Sequence, residues 1–152
     1  MKHVNRILSL LALSAMVFLT GCDKGDDNKK SENDQQIEKL VGTWTAQEVT
    51  LDTDPQEYPG FTITISGSAG DDQLSYTTSN RPANGPWPAS GNLSFGSPAT
   101  NKLIRSGDNL DINYQVSDAQ LTMSFNYEGD GFAGGRTAEV AGDWVFTFTK
   151  SN

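Results

Sequence analysis

Very few side chains in this sequence could do acid, base or nucleophilic chemistry, and their positions limit what that chemistry could be. The only His and the only Cys, His3 and Cys22, both fall within the first 22 of 152 residues. The chain beyond Cys22 therefore has no imidazole and no thiol. That removes Ser-His-Asp and Cys-His catalysis and every Cys/His zinc site in one step. Carboxylates remain, densest at Asp52-Thr-Asp54 with Glu57 and at Asp71-Asp72. A glycosidase needs two carboxylates facing each other across a groove, but these stand beside Pro and Gly, where acidic residues serve turns. Calcium is suited by oxygen ligands on turns, yet this D-x-D lacks the rest of a calcium loop. We single out no catalytic residue, no metal ligand and no cofactor site, and expect a protein that is not an enzyme.

Aromatic residues in irregular stretches are the other groups that could meet a ligand. Arg81-Pro-Ala-Asn-Gly-Pro-Trp87-Pro-Ala-Ser-Gly91 carries prolines at 82, 86 and 88, which stiffen it towards extended geometry. Trp87 held there could stack on a sugar ring, or fold back to cap one end of the fold. Tyr58, in Glu-Tyr-Pro-Gly, invites the same two readings. Phe132 sits in Gly129–Gly135 and marks either a lid or a long hairpin.

The elements that must position these residues begin with a leader. Lys2 and Arg6 precede Ile7–Thr20, a nearly unbroken apolar run. At 14 residues it is shorter than the roughly 20 needed to cross a bilayer, and it suits the apolar part of a signal peptide. It ends in Leu19-Thr20-Gly21-Cys22, which resembles the bacterial lipobox. The resemblance implies cleavage before Cys22 and acyl chains on that residue, a nearly permanent membrane anchor. An ordinary secretory signal with a chance Cys is the alternative. Residues 23–36 contain no hydrophobic side chain and read as a flexible acidic tether. Asp23 resembles an inner-membrane retention signal, whereas acids just after the Cys resemble surface-export tags. The final leaflet stays open, with the outer membrane of a Gram-negative envelope expected over the inner. We divide the chain into a signal peptide (1–21), a tether (22–36) and one domain (37–152).

Charge narrows the partners. With 11 Lys+Arg against 19 Asp+Glu there is no basic footprint for phosphates, and nucleic acid is excluded. Loss of Lys2 and Arg6 with the leader takes the net charge from −8 to −10, which favours a soluble, monomeric domain and disfavours anionic partners.

Ser31 to Asp34 matches a capping box ahead of Ile37, Leu40 and Val41, and predicts about two turns of helix ending at Gly42 as C-cap. Everything after that alternates with period two. Strands are predicted in Thr43–Leu51, Phe61–Ile65, Leu74–Tyr76, Leu93–Phe95, Lys102–Arg105, Leu110–Val116, Leu121–Tyr127 and Trp144–Thr149. Eight short strands with turn residues between them predict an all-β domain, an antiparallel barrel or, alternatively, a β-sandwich. Trp44, Ile63, Ile65, Ile112, Tyr114, Met123, Phe125, Phe146 and Phe148 form the expected inward set.

Gly42-Thr43-Trp44, after a short helix and at the start of the first strand, resembles the G-x-W motif of lipocalins and calycin-like proteins. Leu40–Leu51, Phe61–Gly67, Trp87–Phe95, Leu121–Tyr127 and Gly142–Lys150 are similar to stretches of small bacterial lipoproteins with lipocalin-like domains. The resemblance implies an up-and-down β-barrel of about eight strands with Trp44 plugging its floor. The family's T-D-Y turn has no counterpart here, and Arg105 and Arg136 are the candidates for the Arg that covers the Trp. A second copy, Gly142-Asp143-Trp144, opens the last strand.

The expected function is that of a membrane-anchored envelope lipoprotein. It would bind a small apolar ligand in the barrel, with Trp44, Tyr58, Trp87, Tyr114 and Phe125 as candidate ligand-binding residues and Cys22 as the lipidation site. The alternatives are a glycan-binding or protein-interaction surface using Trp87 and Tyr58, and a structural envelope protein with a filled core. A cavity reaching Trp44 favours the first, an exposed Trp87 the second, and a buried Trp87 without a cavity the third.

Overall fold

The computed structural model describes residues 30–82, 84–132 and 140–151. Cys22, the leader and most of the tether lie outside the described residues, as do Ala83, Arg136 and the rest of 133–139.

The chain enters through α1 (Glu32–Leu40), capped by Ser31, whose Oγ accepts from the Asp34 N–H at 3.1 Å. The helix starts inside the segment read as tether, so the folded part begins there rather than at Ile37. Its C-cap is Val41, not Gly42. Gly42 already belongs to the first strand and takes φ +139°, a backbone conformation that side chains disfavour. Ile37 and Leu40 bury their apolar faces.

Nine strands follow: β1 (Gly42–Leu51), β2 (Asp54–Pro55), β3 (Thr62–Ser66), β4 (Gln73–Ser79), β5 (Ser90–Phe95), β6 (Lys102–Arg105), β7 (Leu110–Val116), β8 (Gln120–Tyr127) and β9 (Gly142–Lys150). Each pairs antiparallel with the next from β3 onwards, and β1 pairs with both β3 and β9, closing an eight-stranded up-and-down barrel. β2 is an additional two-residue strand held only on β1. It sits in the Asp54–Gly60 turn cluster, where Pro and acids hide a strand signal this short. A bulge between Ala46 and Glu48 bends β1 where it closes on β9.

Period two decides what goes inside. In β3 and β9, Ile63, Ile65, Phe146 and Phe148 are buried, while Thr62, Thr64 and Thr147 are only partly so. All nine residues of the expected inward set are buried. They join one continuous core with Phe61, Leu74, Tyr76, Leu93, Leu103 and Leu121.

The barrel has two unlike ends. At the floor lie α1 and the connections 67–72, 96–101 and 117–119; at the mouth lie 56–61, 80–82 with 84–89, 106–109, and 128–132 with 140–141. Loops concentrate at the mouth, the usual place for a site on a rigid scaffold.

Candidate functional site at the barrel mouth

The floor is sealed by hydrogen bonds. Trp44 is fully buried, and its Nε1 donates to the Leu40 carbonyl at 2.8 Å, tying the helix end to the first strand. The Tyr114 hydroxyl donates to the Ala99 carbonyl and lies 3.2 Å from Gln36 Oε1 on α1. Asp34 Oδ1 accepts from the Gly70 N–H at 2.7 Å, so the helix is also fastened to the β3–β4 turn. Over Trp44 lies the ammonium of Lys150, 5.0 Å from the ring centroid. Lys150 therefore stands where the resemblance placed an Arg. Arg105 is at the other end of the barrel, a correction to that expectation; Arg136 is outside the described residues.

The mouth repeats the floor's corner. Gly142 has φ +144°, and the Trp144 Nε1 donates to the Val140 carbonyl at 2.8 Å. Leu40-Val-Gly-Thr-Trp44 and Val140-Ala-Gly-Asp-Trp144 thus build one motif twice, at opposite ends of two paired strands. In each, the glycine's positive φ turns the chain so that the indole N–H meets the carbonyl four residues back. An added Cβ at Gly142 would stand 2.7 Å from Asp52 Oδ2.

Trp87 reaches the interior from the 80–89 connection. It is fully buried, with its ring edge-on to Tyr76 (5.6 Å), Phe125 (5.5 Å) and Phe146 (6.0 Å). Arg105, also fully buried, holds it there. Its Nη1 donates to the Pro86 carbonyl at 2.7 Å, and its guanidinium lies 5.2 Å from the Trp87 centroid. Phe125, Tyr127 and Phe132 complete a four-ring surround at 5.9, 5.7 and 5.2 Å. Buried charge is costly unless paired, and the counter-charge is Asp108, which accepts from Arg105 Nε at 3.1 Å and Nη2 at 2.5 Å. Burial pushes the Asp108 carboxyl up, but the hydrogen bond and charge of Arg105 outweigh it and hold the group below its ordinary value.

Among the described residues, three side-chain polar atoms are buried without a partner, all of them here: Tyr58 Oη, Tyr76 Oη and Trp87 Nε1. Burial pushes the Tyr76 hydroxyl up to about 12, against a smaller opposing pull from Arg105. It also pushes Tyr58 up, and Tyr114 at the floor. Beside Tyr58 an open depression of about 370 Å³ is lined by Gln56, Glu57, Asn84, Val140 and Trp144.

The five candidate ligand residues do not form one site. Trp44 and Tyr114 belong to the floor, while Tyr58, Trp87 and Phe125 pack towards the mouth, with Tyr58 edge-on to Phe61, Trp144 and Phe146. Neither Trp87 nor Tyr58 offers a ring to solvent. Asp52 and Asp71 of the acidic clusters serve backbone amides: Asp52 Oδ1 accepts from the Asp143 N–H at 2.8 Å, joining the end of β1 to the start of β9, and Asp71 Oδ2 accepts from the Ser68 N–H at 2.6 Å within the β3–β4 turn. Among the described residues no group of three or more His, Cys, Asp or Glu could hold a metal ion, and no helix is long and apolar enough to cross a membrane.

Reading residues alone missed the Arg105–Asp108 pair and Tyr76. The available signal was Arg105-Ser-Gly-Asp108, a three-residue spacing across a turn in which Gly107 has φ +106°. Comparison of the chain with known protein families, curated proteins and solved structures finds no match.

Proposed function

We propose that this chain is a lipid-anchored, non-enzymatic protein of the bacterial cell envelope, built on a lipocalin-like barrel whose interior is filled by its own side chains. The observation that carries this reading is Trp87. The upper interior of the barrel, where a guest would sit, holds an indole with no exposed surface, packed against Tyr76, Phe125 and Phe146. Of the three expected roles, a buried Trp87 supports the filled core. Stacking on a glycan would need a Trp87 or Tyr58 ring in solvent, so that role loses its footing.

Anchoring rests on the lipobox-like Leu19–Cys22 and its basic, apolar lead-in. A tether from Cys22 reaches the fold at α1, which packs on the floor, so the mouth loops would face away from the membrane. The barrel is then a rigid mount for those loops.

Fractionation of a bacterial host expressing the full chain tests the anchor. The wild type is expected in the membrane fraction with an acylated N-terminal Cys22, and Cys22→Ser in the soluble fraction. A Cys22→Ser variant found wholly in the membrane would overturn processing at this site.

A further inference from the structure

We propose that Trp87 is a displaceable plug over a latent binding site, which takes a neutral, flat aromatic molecule of indole's size carrying one oxygen acceptor. This deepens the filled-barrel reading and rests on it.

Where Trp87 is attached is the first observation. Its neighbours Tyr76, Phe125 and Phe146 stand on β4, β8 and β9 and cannot leave without breaking ladder hydrogen bonds. Trp87 stands on a connection and takes no part in any strand ladder. Prolines 82, 86 and 88 contribute no N–H to hold that connection and make it a stiff arm. Its ends are fastened by the Thr78 N–H to the Ala89 carbonyl at 2.8 Å and by Asn80 Nδ2 to the Gly60 carbonyl at 2.9 Å, and the stretch around Trp87 by a handful of bonds to its backbone carbonyls. Arg105 donates to Pro86 at 2.7 Å, Thr78 Oγ1 to Pro88 at 2.8 Å, and the Phe132 N–H to Gly85 at 3.3 Å.

The second observation is the pair of unpartnered groups at this one place. Trp87 Nε1 and Tyr76 Oη are both buried without a hydrogen bond, on rings 5.6 Å apart. Buried polar groups in folded proteins are nearly always satisfied. Both atoms therefore hold the inserted state above the energy of a fully satisfied core. On exit the indole N–H would meet water, and Tyr76 would be left unpaired beside the vacated space.

The vacated space would define the guest. Tyr76, Phe125 and Phe146 would leave flat aromatic walls, which favour a planar ring. Loss of Pro86 would free one N–H of Arg105, and Tyr76 would supply a second donor, so the guest needs an acceptor oxygen. Asp108 would stay on Arg105 and neutralise it, so a charged guest would find no counter-charge and a neutral one is preferred.

Fluorine NMR of the full-length chain labelled with 5-fluorotryptophan tests this, because three resonances report three tryptophans and Trp87→Phe assigns one. Coumarin is the probe, with naphthalene as the ring lacking an acceptor. Without probe, the Trp87 resonance is expected to show no solvent isotope shift. Coumarin should move that resonance saturably to a solvent-exposed position and leave Trp44 unmoved; naphthalene should bind more weakly. Trp87→Ala should bind coumarin about tenfold more tightly or better, because no plug need be expelled, and Trp87→Phe should fall between. A Trp87 resonance that stays buried at saturating coumarin overturns the plug and leaves the filled barrel standing, whether or not Trp87→Ala folds. A Trp87 already exposed without probe overturns the filled barrel itself.

Discussion

The three tryptophans are all at least 98% buried, yet the same substitution should cost very different amounts at each. Replacing indole by phenyl removes roughly 40 Å² of apolar surface from the core, worth about 1 kcal/mol. The void left behind adds about another 1 kcal/mol. Trp44→Phe and Trp144→Phe share that loss of about 2 kcal/mol. Each also breaks an indole hydrogen bond of 2.8 Å to a buried carbonyl, for a further cost of about 1–1.5 kcal/mol. Trp87→Phe takes the same packing loss but removes an N–H that has no partner, relieving about 1–3 kcal/mol. Phe also keeps a ring face for Arg105. The expected costs are therefore about 3–3.5 kcal/mol at Trp44 and Trp144, and at Trp87 anything from a loss of about 1 kcal/mol to a gain of about 1 kcal/mol. In a domain of this size the gap corresponds to a difference in melting temperature on the order of 10 °C. Circular dichroism melts and denaturant titrations read it directly. Equal losses at all three positions, or a larger loss at Trp87, would refute both the corner hydrogen bonds and the unpartnered indole.

The remaining expectations concern charge, backbone and alkali. Asp108 has a folded pKa below its ordinary 3.8. The stability it contributes is present above that value and lost as pH falls through the folded one. Asp108→Asn should flatten this acid loss in pH-dependent melts. It should also cost about 2 kcal/mol at neutral pH, less than the 3–5 kcal/mol of a wholly buried pair because Asp108 is about one-third exposed. Gly142→Ala should lose about 1–3 kcal/mol in denaturant titrations, since Ala disfavours φ +144° and its Cβ would crowd Asp52 and Leu51. Tyr58, Tyr76 and Tyr114 are protonated in the folded state with raised pKa values. The stability this gives is full below about pH 10 and drains as pH climbs from there. Phenolate absorbance from these three residues should appear together with the loss of the near-ultraviolet circular dichroism signal, not before it.

Most of the barrel is legible in the sequence because its walls alternate without interruption. Thr62-Ile-Thr-Ile65 and Phe146-Thr-Phe148-Thr149 can face only one way across a pleat, and both do. Trp44 is legible for a local reason: the helix that it caps ends four residues earlier. Arg105 is not. In Lys102-Leu-Ile-Arg105 an Arg reads as a surface residue, and its burial is decided by Pro86, Trp87, Phe125 and Phe132, all at least 18 positions away. Trp87 was open to two readings for the same reason, since a stiff loop can hold a ring in solvent or in a core with equal ease. Contacts made across the barrel, rather than along a strand, choose between them. The second Gly-x-Trp is visible in the sequence, but its equivalence to the first is not, because Val140, a valine in a loop, offers the same carbonyl as the helix-borne Leu40.

Native mass spectrometry of the purified chain, desolvated gently enough to keep non-covalent guests, tests the self-filled barrel most directly. With Trp87 occupying the interior, the protein should fly at the mass of its own covalent chain, with nothing small retained. A stoichiometric small-molecule adduct that disappears on denaturation would mean that the interior holds a guest and that Trp87 is elsewhere.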